Sequence, residues 1–183
     1  MNCQNTPPSQ RGFTALELII VLIIGFSIIG LSAAKMADMM DSSKATRALD
    51  SIVNLSTAIK SLANPQGYGA TGDPLVADLI NADVVPKSLR QQAVGGATAL
   101  MNQWNQPVSV NVHPNDVQKF VITYPGIPKS ACNTLVKDLL NNFSVVSIAD
   151  STNVITAVPR NATLAAIVNA CNVAPPIGLV LSD

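Results

Sequence analysis

Arg11-Gly12-Phe13-Thr14-Ala15-Leu16-Glu17 opens onto an apolar run, residues 18–34, that carries no charge. A lone carboxylate at the mouth of a membrane-length apolar segment is expensive to bury, so Glu17 requires a partner there. The prolines mark out the same region. Of twelve, Pro7 and Pro8 precede the motif, none occurs in residues 13–64, and ten follow from Pro65 onward. Such a proline-free stretch can form one helix, about 75 Å long at 1.5 Å per residue.

The two halves of that stretch have different solvents. Residues 13–34 would span about 33 Å, the thickness of a bilayer's hydrocarbon core. Beyond them Ala45, Ala48, Leu49, Ile52, Leu55, Ile59 and Leu62 recur at three- and four-residue steps. Lys44, Arg47, Asp50 and Lys60 fall on other faces, so this half is amphipathic and should pack on a globular domain. The alternative is two helices broken near residues 39–43. Gly25 and Gly30 lie inside the apolar half, and Gly30 with Ala34 makes a small-xxx-small pair. That pair fits close packing between subunits, local melting of the helix on assembly, or the ordinary tolerance of glycine in membrane helices.

Small, aromatic and acidic residues in this order before a long apolar run resemble the prepilin signal of the type IV pilin family. The resemblance makes residues 1–12 a leader peptide, Gly12 its last residue, Phe13 the first mature residue and Glu17 the fifth. It implies that an inner-membrane prepilin peptidase cuts after Gly12 and methylates the new amino terminus of Phe13. Phe13 and Glu17 are then the assembly residues, the amino terminus of one subunit meeting the carboxylate of its neighbour. An ordinary secretory signal ending at Ser32-Ala33-Ala34 is the competing reading. Such signals have no reason to place an acid at the mouth of the apolar core.

Leader removal changes the cysteine arithmetic. Cys3 leaves with the leader, and Cys132 and Cys171 remain as an even pair in an oxidising compartment. The resemblance extends to the type IVb branch, the toxin-coregulated, bundle-forming and plasmid thin-pilus pilins. There the first disulfide cysteine sits near a helix start, as in Ser130-Ala131-Cys132-Asn133. The second precedes a final strand, as in Ala170-Cys171 followed by Ile177-Gly178-Leu179-Val180. The branch implies a Cys132–Cys171 disulfide bounding residues 132–171. The leader is short for that branch, and a mature start at phenylalanine is more usual in type IVa pilins.

Residues 64–183 form the expected globular head. Asn64-Pro65-Gln66-Gly67 ends the long helix, expected over 13–63. Short helices are predicted at 75–82 and 86–92, with Gly95-Gly96 as a flexible break. Residues 107–112 read as a strand with Val108, Val110 and Val112 on one face, paired with 119–124 across Pro114-Asn115-Asp116. A helix follows at 129–141, strands at 143–148 and 153–158, a helix at 162–170 and a last strand at 178–181. The fold class is therefore α+β, a long amino-terminal helix packed on an antiparallel sheet in the type IV pilin fold.

Charge and chemistry narrow the function. Only 12% of residues are charged against 48% apolar, which argues against disorder. The formal net charge is zero, so no basic patch argues for nucleic acid. The sole histidine, His113, lies at a turn beside Pro114. No cysteine and histidine cluster, no G-x-S-x-G elbow and no phosphate-binding loop accompanies it. The expectation is a non-enzymatic subunit without cofactor or metal. It polymerises with itself into a type IVb-like pilus that serves adhesion, aggregation or conjugative contact. It passes through the inner membrane, with 13–34 as the transmembrane and assembly segment, and the pilus assembly machinery carries it to the cell surface. The alternatives are a minor pilin, a pseudopilin of type II secretion, or a signal-anchored periplasmic domain that never polymerises.

Overall fold

The computed structural model describes residues 14–149, 155–173 and 177–182, with the side chains of 30–38 and 155 outside that description. The chain divides into two compact units, Met1–Met39 and Met40–Asp183. Helix α1 (Ala15–Ser61) is a single helical element. No break at 39–43 interrupts it, so the two-helix alternative falls. It ends two residues before the expected position, and Asn64 then closes a turn, its Oδ1 accepting from the Gln66 N–H at 2.8 Å.

In the second unit the amphipathic stripe lies where its periodicity predicts. Ala45, Ala48, Ile52, Leu55 and Ile59 are buried in one apolar core, with Leu49 and Leu62 packed at its edge. Most of the rest of that core comes from helix α3 (Lys129–Leu139) and from a sheet of seven strands, with smaller contributions from two short helices. Helix α2 (Val76–Asn81) is the expected short helix and buries Leu79. Helix α4 (Leu164–Cys171) begins at Thr163, whose Oγ1 accepts from the Ala166 N–H at 3.3 Å.

The strands are β1 (Arg90–Val94), β2 (Ala97–Met101), β3 (Pro107–His113), β4 (Asp116–Ile127), β5 (Val145–Ala149), β6 (Ile155–Val158) and β7 (Ile177–Ser182). Their order is β1-β2-β3-β4-β7-β5-β6, every pairing antiparallel. The carboxy-terminal strand is thus inserted in the middle. Register explains why it fits there. Val110 faces Ile122, Ile122 faces Leu181, Leu181 faces Val146 and Val146 faces Val158. One row of buried side chains therefore runs across five strands, all on the core face.

Two expectations about the region before β3 are corrected. Residues 86–92 are not helical: a turn reaches Leu89, and β1 starts at Arg90. Gly95-Gly96 is not a loose break but the two-residue turn of the β1–β2 hairpin, with φ of +59° and +86° and Val94 opposite Ala97. Two consecutive left-handed residues match the twist of a tight hairpin, and glycine adopts them without steric cost. Strand β4 is longer than the expected 119–124, and its register shifts between Tyr124 and Ile127. Residues 153 and 154 of the expected sixth strand lie outside the described residues.

Candidate assembly site and its supporting head

Glu17 stands in the first turn of α1 and is exposed. Its backbone N–H donates to Thr14 Oγ1 at 3.3 Å, a local cap on one of the free donors of the helix start. A carboxylate in a first turn also suits the positive end of the helix dipole. Around and beyond it the described surface is apolar on all sides, with Leu16 70%, Phe26 71% and Ile29 65% exposed. Ser27 satisfies its hydroxyl inside the helix by donating to the Ile23 carbonyl at 2.8 Å, so it presents no free donor. A Cβ added at Gly25 would meet nothing within 4 Å. A helix that is apolar all round is built to be covered by lipid or by other helices.

Among the described residues no helix is long and apolar enough to cross a membrane. The described side chains of the expected segment stop at residue 29, short of the roughly 20 apolar residues that a spanning helix needs. Gly12 and Phe13 lie outside the described residues. Of the expected processing and assembly residues, the structure therefore places Glu17 alone.

Cys132 and Cys171 meet. Cys132, in the first turn of α3, is bonded to Cys171, the last residue of α4, with Cα atoms 5.9 Å apart. Both are buried. Lys129 Nζ donates to Asn172 Oδ1 at 3.1 Å across the same junction. The start of α3 is also tied to α1, Ser130 Oγ donating to Asp41 Oδ2 at 2.9 Å. His113 sits at the β3–β4 turn as expected, its Nδ1 accepting from the Asn115 N–H at 3.2 Å.

A polar cluster in the head escaped the reading of the sequence. Ser51 is fully buried on the stripe side of α1 and donates to the Arg47 carbonyl at 2.7 Å. Its Oγ accepts from Gln103 Nε2 at 3.0 Å, and Gln103 Oε1 accepts from the Tyr124 hydroxyl. Burial pushes the Tyr124 phenol well above its ordinary range, only partly offset by its hydrogen bonds. The Trp104 ring packs edge-on against Tyr124, centroids 6.3 Å apart. Next to it Asn102 is nearly fully enclosed. Its Oδ1 accepts from the N–H groups of Trp104 and Gln106, each at 2.9 Å, and its Nδ2 donates to the Pro125 carbonyl at 2.6 Å. That bond satisfies the carbonyl freed where β4 shifts register. The signal that would have pointed here is Ser51, a hydroxyl interrupting an apolar stripe between Ala48 and Leu55.

A helix carrying an exposed apolar start and a sheet-bearing head closed by a carboxy-terminal disulfide is the arrangement of a type IV pilin. The structure is similar to that of TcpA, a type IV pilin from Vibrio cholerae El Tor biotype, at 13% identity and a TM-score of 0.57, covering 78% of this chain and 99% of that one. It is also similar to a type IVb pilin from Salmonella typhi, at 19% identity and a TM-score of 0.55, covering 73% of this chain and 95% of that one. No curated protein matches the sequence. Residues 42–178 match the family described as PilS N terminal. The chain belongs to that family, and its fold is that of the type IVb pilins.

Proposed function

We propose that this chain is the major subunit of a type IVb-like pilus, held in the inner membrane as a precursor, cleaved after Gly12 by a prepilin peptidase and assembled by pilus machinery. The observation that carries the reading is Glu17 in the first turn of a helix whose other described side chains through residue 29, apart from the internally bonded Ser27, are apolar and exposed on all sides. Leaving such a surface in water is unfavourable by roughly 25 cal/mol per Å2, which favours lipid before assembly and neighbouring copies after it. In the filament the amino terminus of Phe13 meets the Glu17 carboxylate of an adjacent copy. Each charge removes the other's desolvation cost, and the pair sets the axial register. A head-to-tail contact of this kind propagates as a filament when its rotation does not close into a ring. The role is structural, in adhesion, aggregation or conjugative contact.

The test is electron microscopy of cells expressing the full chain with its assembly genes and labelled for the head, together with mass spectrometry of the amino terminus. The expected results are filaments labelled along their length and a mature start at N-methylphenylalanine. Glu17→Ala should leave cleavage intact and abolish or impair filaments, and Glu17→Gln separates charge from shape. A start near Lys35, or normal filament yield from both variants, overturns the mechanism. Label confined to filament tips makes the chain a minor pilin.

A further inference from the structure

The head carries a groove of about 410 Å3 that the assembly reading does not use. Lys44 and Arg47 of α1 line it together with Arg90 of β1. The whole chain is formally neutral, yet these three cations share the groove with a single carboxylate, Asp50. Among the described residues the ion pair within 4 Å is Lys119–Asp116, on β4. Lys44, Arg47 and Arg90 are thus not locked in contact ion pairs with Asp50, and the excess of cations over carboxylates in the groove favours an incoming anion.

The groove is also built rather than merely charged. Gln103 at its lining is held by three hydrogen bonds, to Tyr124, to Ser51 Oγ at 3.0 Å and to the Ser88 carbonyl at 3.3 Å. Asn102 has its Oδ1 engaged twice, by the N–H groups of Trp104 and Gln106, and its Nδ2 once, by the Pro125 carbonyl. These groups form a fixed floor and leave recognition to the rim. Arg90 is aimed by one bond, Nη2 donating to Asn105 Oδ1 at 2.7 Å, and Asn105 holds a left-handed backbone at φ +58°. The rest of its guanidinium is available as a fork that suits a carboxylate or phosphate.

Asp50 and the Ser88 side chain decide between ligands. A site for a bare phosphate dianion would be weakened by a carboxylate in its wall. A sugar acid uses every group present: its carboxylate faces Arg90, Arg47 and Lys44, and its hydroxyls donate to Asp50 or exchange hydrogen bonds with Ser88. We propose that this groove binds a carboxylate-bearing saccharide. The inference goes beyond the assembly role and does not depend on it, because every group named belongs to one head.

The test is calorimetric titration of the full chain in detergent micelles with tri-galacturonic acid, with maltotriose and inorganic phosphate as comparison ligands. Saturable binding of tri-galacturonic acid, weaker binding of phosphate and none of maltotriose are expected. Arg90→Gln and Arg47→Gln should each weaken binding by about tenfold or more, whereas Lys119→Gln, the same charge change away from the groove, should not. Should an arginine variant fail to fold, Asp50→Asn and Ser88→Ala carry the test, each expected to reduce affinity for the saccharide and not for phosphate. No binding of tri-galacturonic acid, equal binding of maltotriose or phosphate, or equal weakening by Lys119→Gln overturns the proposal. Filament yield is not an outcome, so failure of the assembly reading would be seen separately.

Discussion

Replacing Cys132 and Cys171 together by serine should destabilise the head, and the structure says where the loss falls first. The bridge closes a loop of sequence separation 39 that holds most of α3, then β5, β6 and α4. Closing a loop of that size removes unfolded-state entropy worth about 4 kcal/mol in the chain-entropy model. The loss is not spread evenly. Helix α4 has eight residues and buries only Ile167 and Cys171, and a helix so short has no stability of its own in water. Without the bridge it keeps Ile167, partly buried Ala162, Ala170 and Val173, and the Lys129–Asn172 hydrogen bond. Helix α3 keeps Ala131, Leu135, Val136 and Leu139 in the core and the Ser130–Asp41 bond. Opening should therefore begin at α4 and leave α3 in place. Hydrogen exchange read by mass spectrometry on the full chain, with and without the double substitution, separates the two helices, and guanidinium unfolding gives the global loss. Unchanged α4 protection, or a loss below about 1 kcal/mol, would refute the argument.

Other substitutions probe other links. Gly67→Ala should cost about 2 kcal/mol or more, because φ is +98° and the new Cβ would lie 2.4 Å from the Val117 carbonyl oxygen that accepts from the Tyr68 N–H; a thermal melt at the parent's midpoint would contradict this. Ile52→Ala removes a fully buried side chain where α1 enters the core and should cost about 2–5 kcal/mol in chemical denaturation. The folded-state pKa of Tyr124 is raised by burial, so its contribution is complete below the unfolded value near 10 and is lost as pH rises above that value. Stability measured across the alkaline range should fall less steeply in Tyr124→Phe than in the parent, and parallel curves would exclude the phenol as the cause.

What the residues alone determined is what depends on local pattern. The stripe from Ala45 to Ile59 could only be an amphipathic helix, since three- and four-residue steps place those side chains on one face whatever they pack against. The alternation of Val108, Val110 and Val112, ended by Pro114-Asn115, likewise marked a strand and its turn. The pairing of Cys132 with Cys171 was legible from the expectation that Cys3 belongs to a leader, and the structure joins those two. Tertiary structure decided what depends on a distant partner. Arg90-Gln91-Gln92 has no apolar face to mark it as strand, and all of β1 is exposed; it becomes extended because β2 offers backbone partners in register across Gly95-Gly96. The place of β7 between β4 and β5 is equally invisible locally, for it rests on Leu179 and Leu181 meeting Tyr124 and Ile122 on one side and Ile148 and Val146 on the other. The buried cluster of Ser51, Gln103 and Tyr124 joins residues more than 50 positions apart. A polar residue's sequence neighbours do not say whether such a partner will arrive, and only the folded chain brings donor and acceptor within reach of each other.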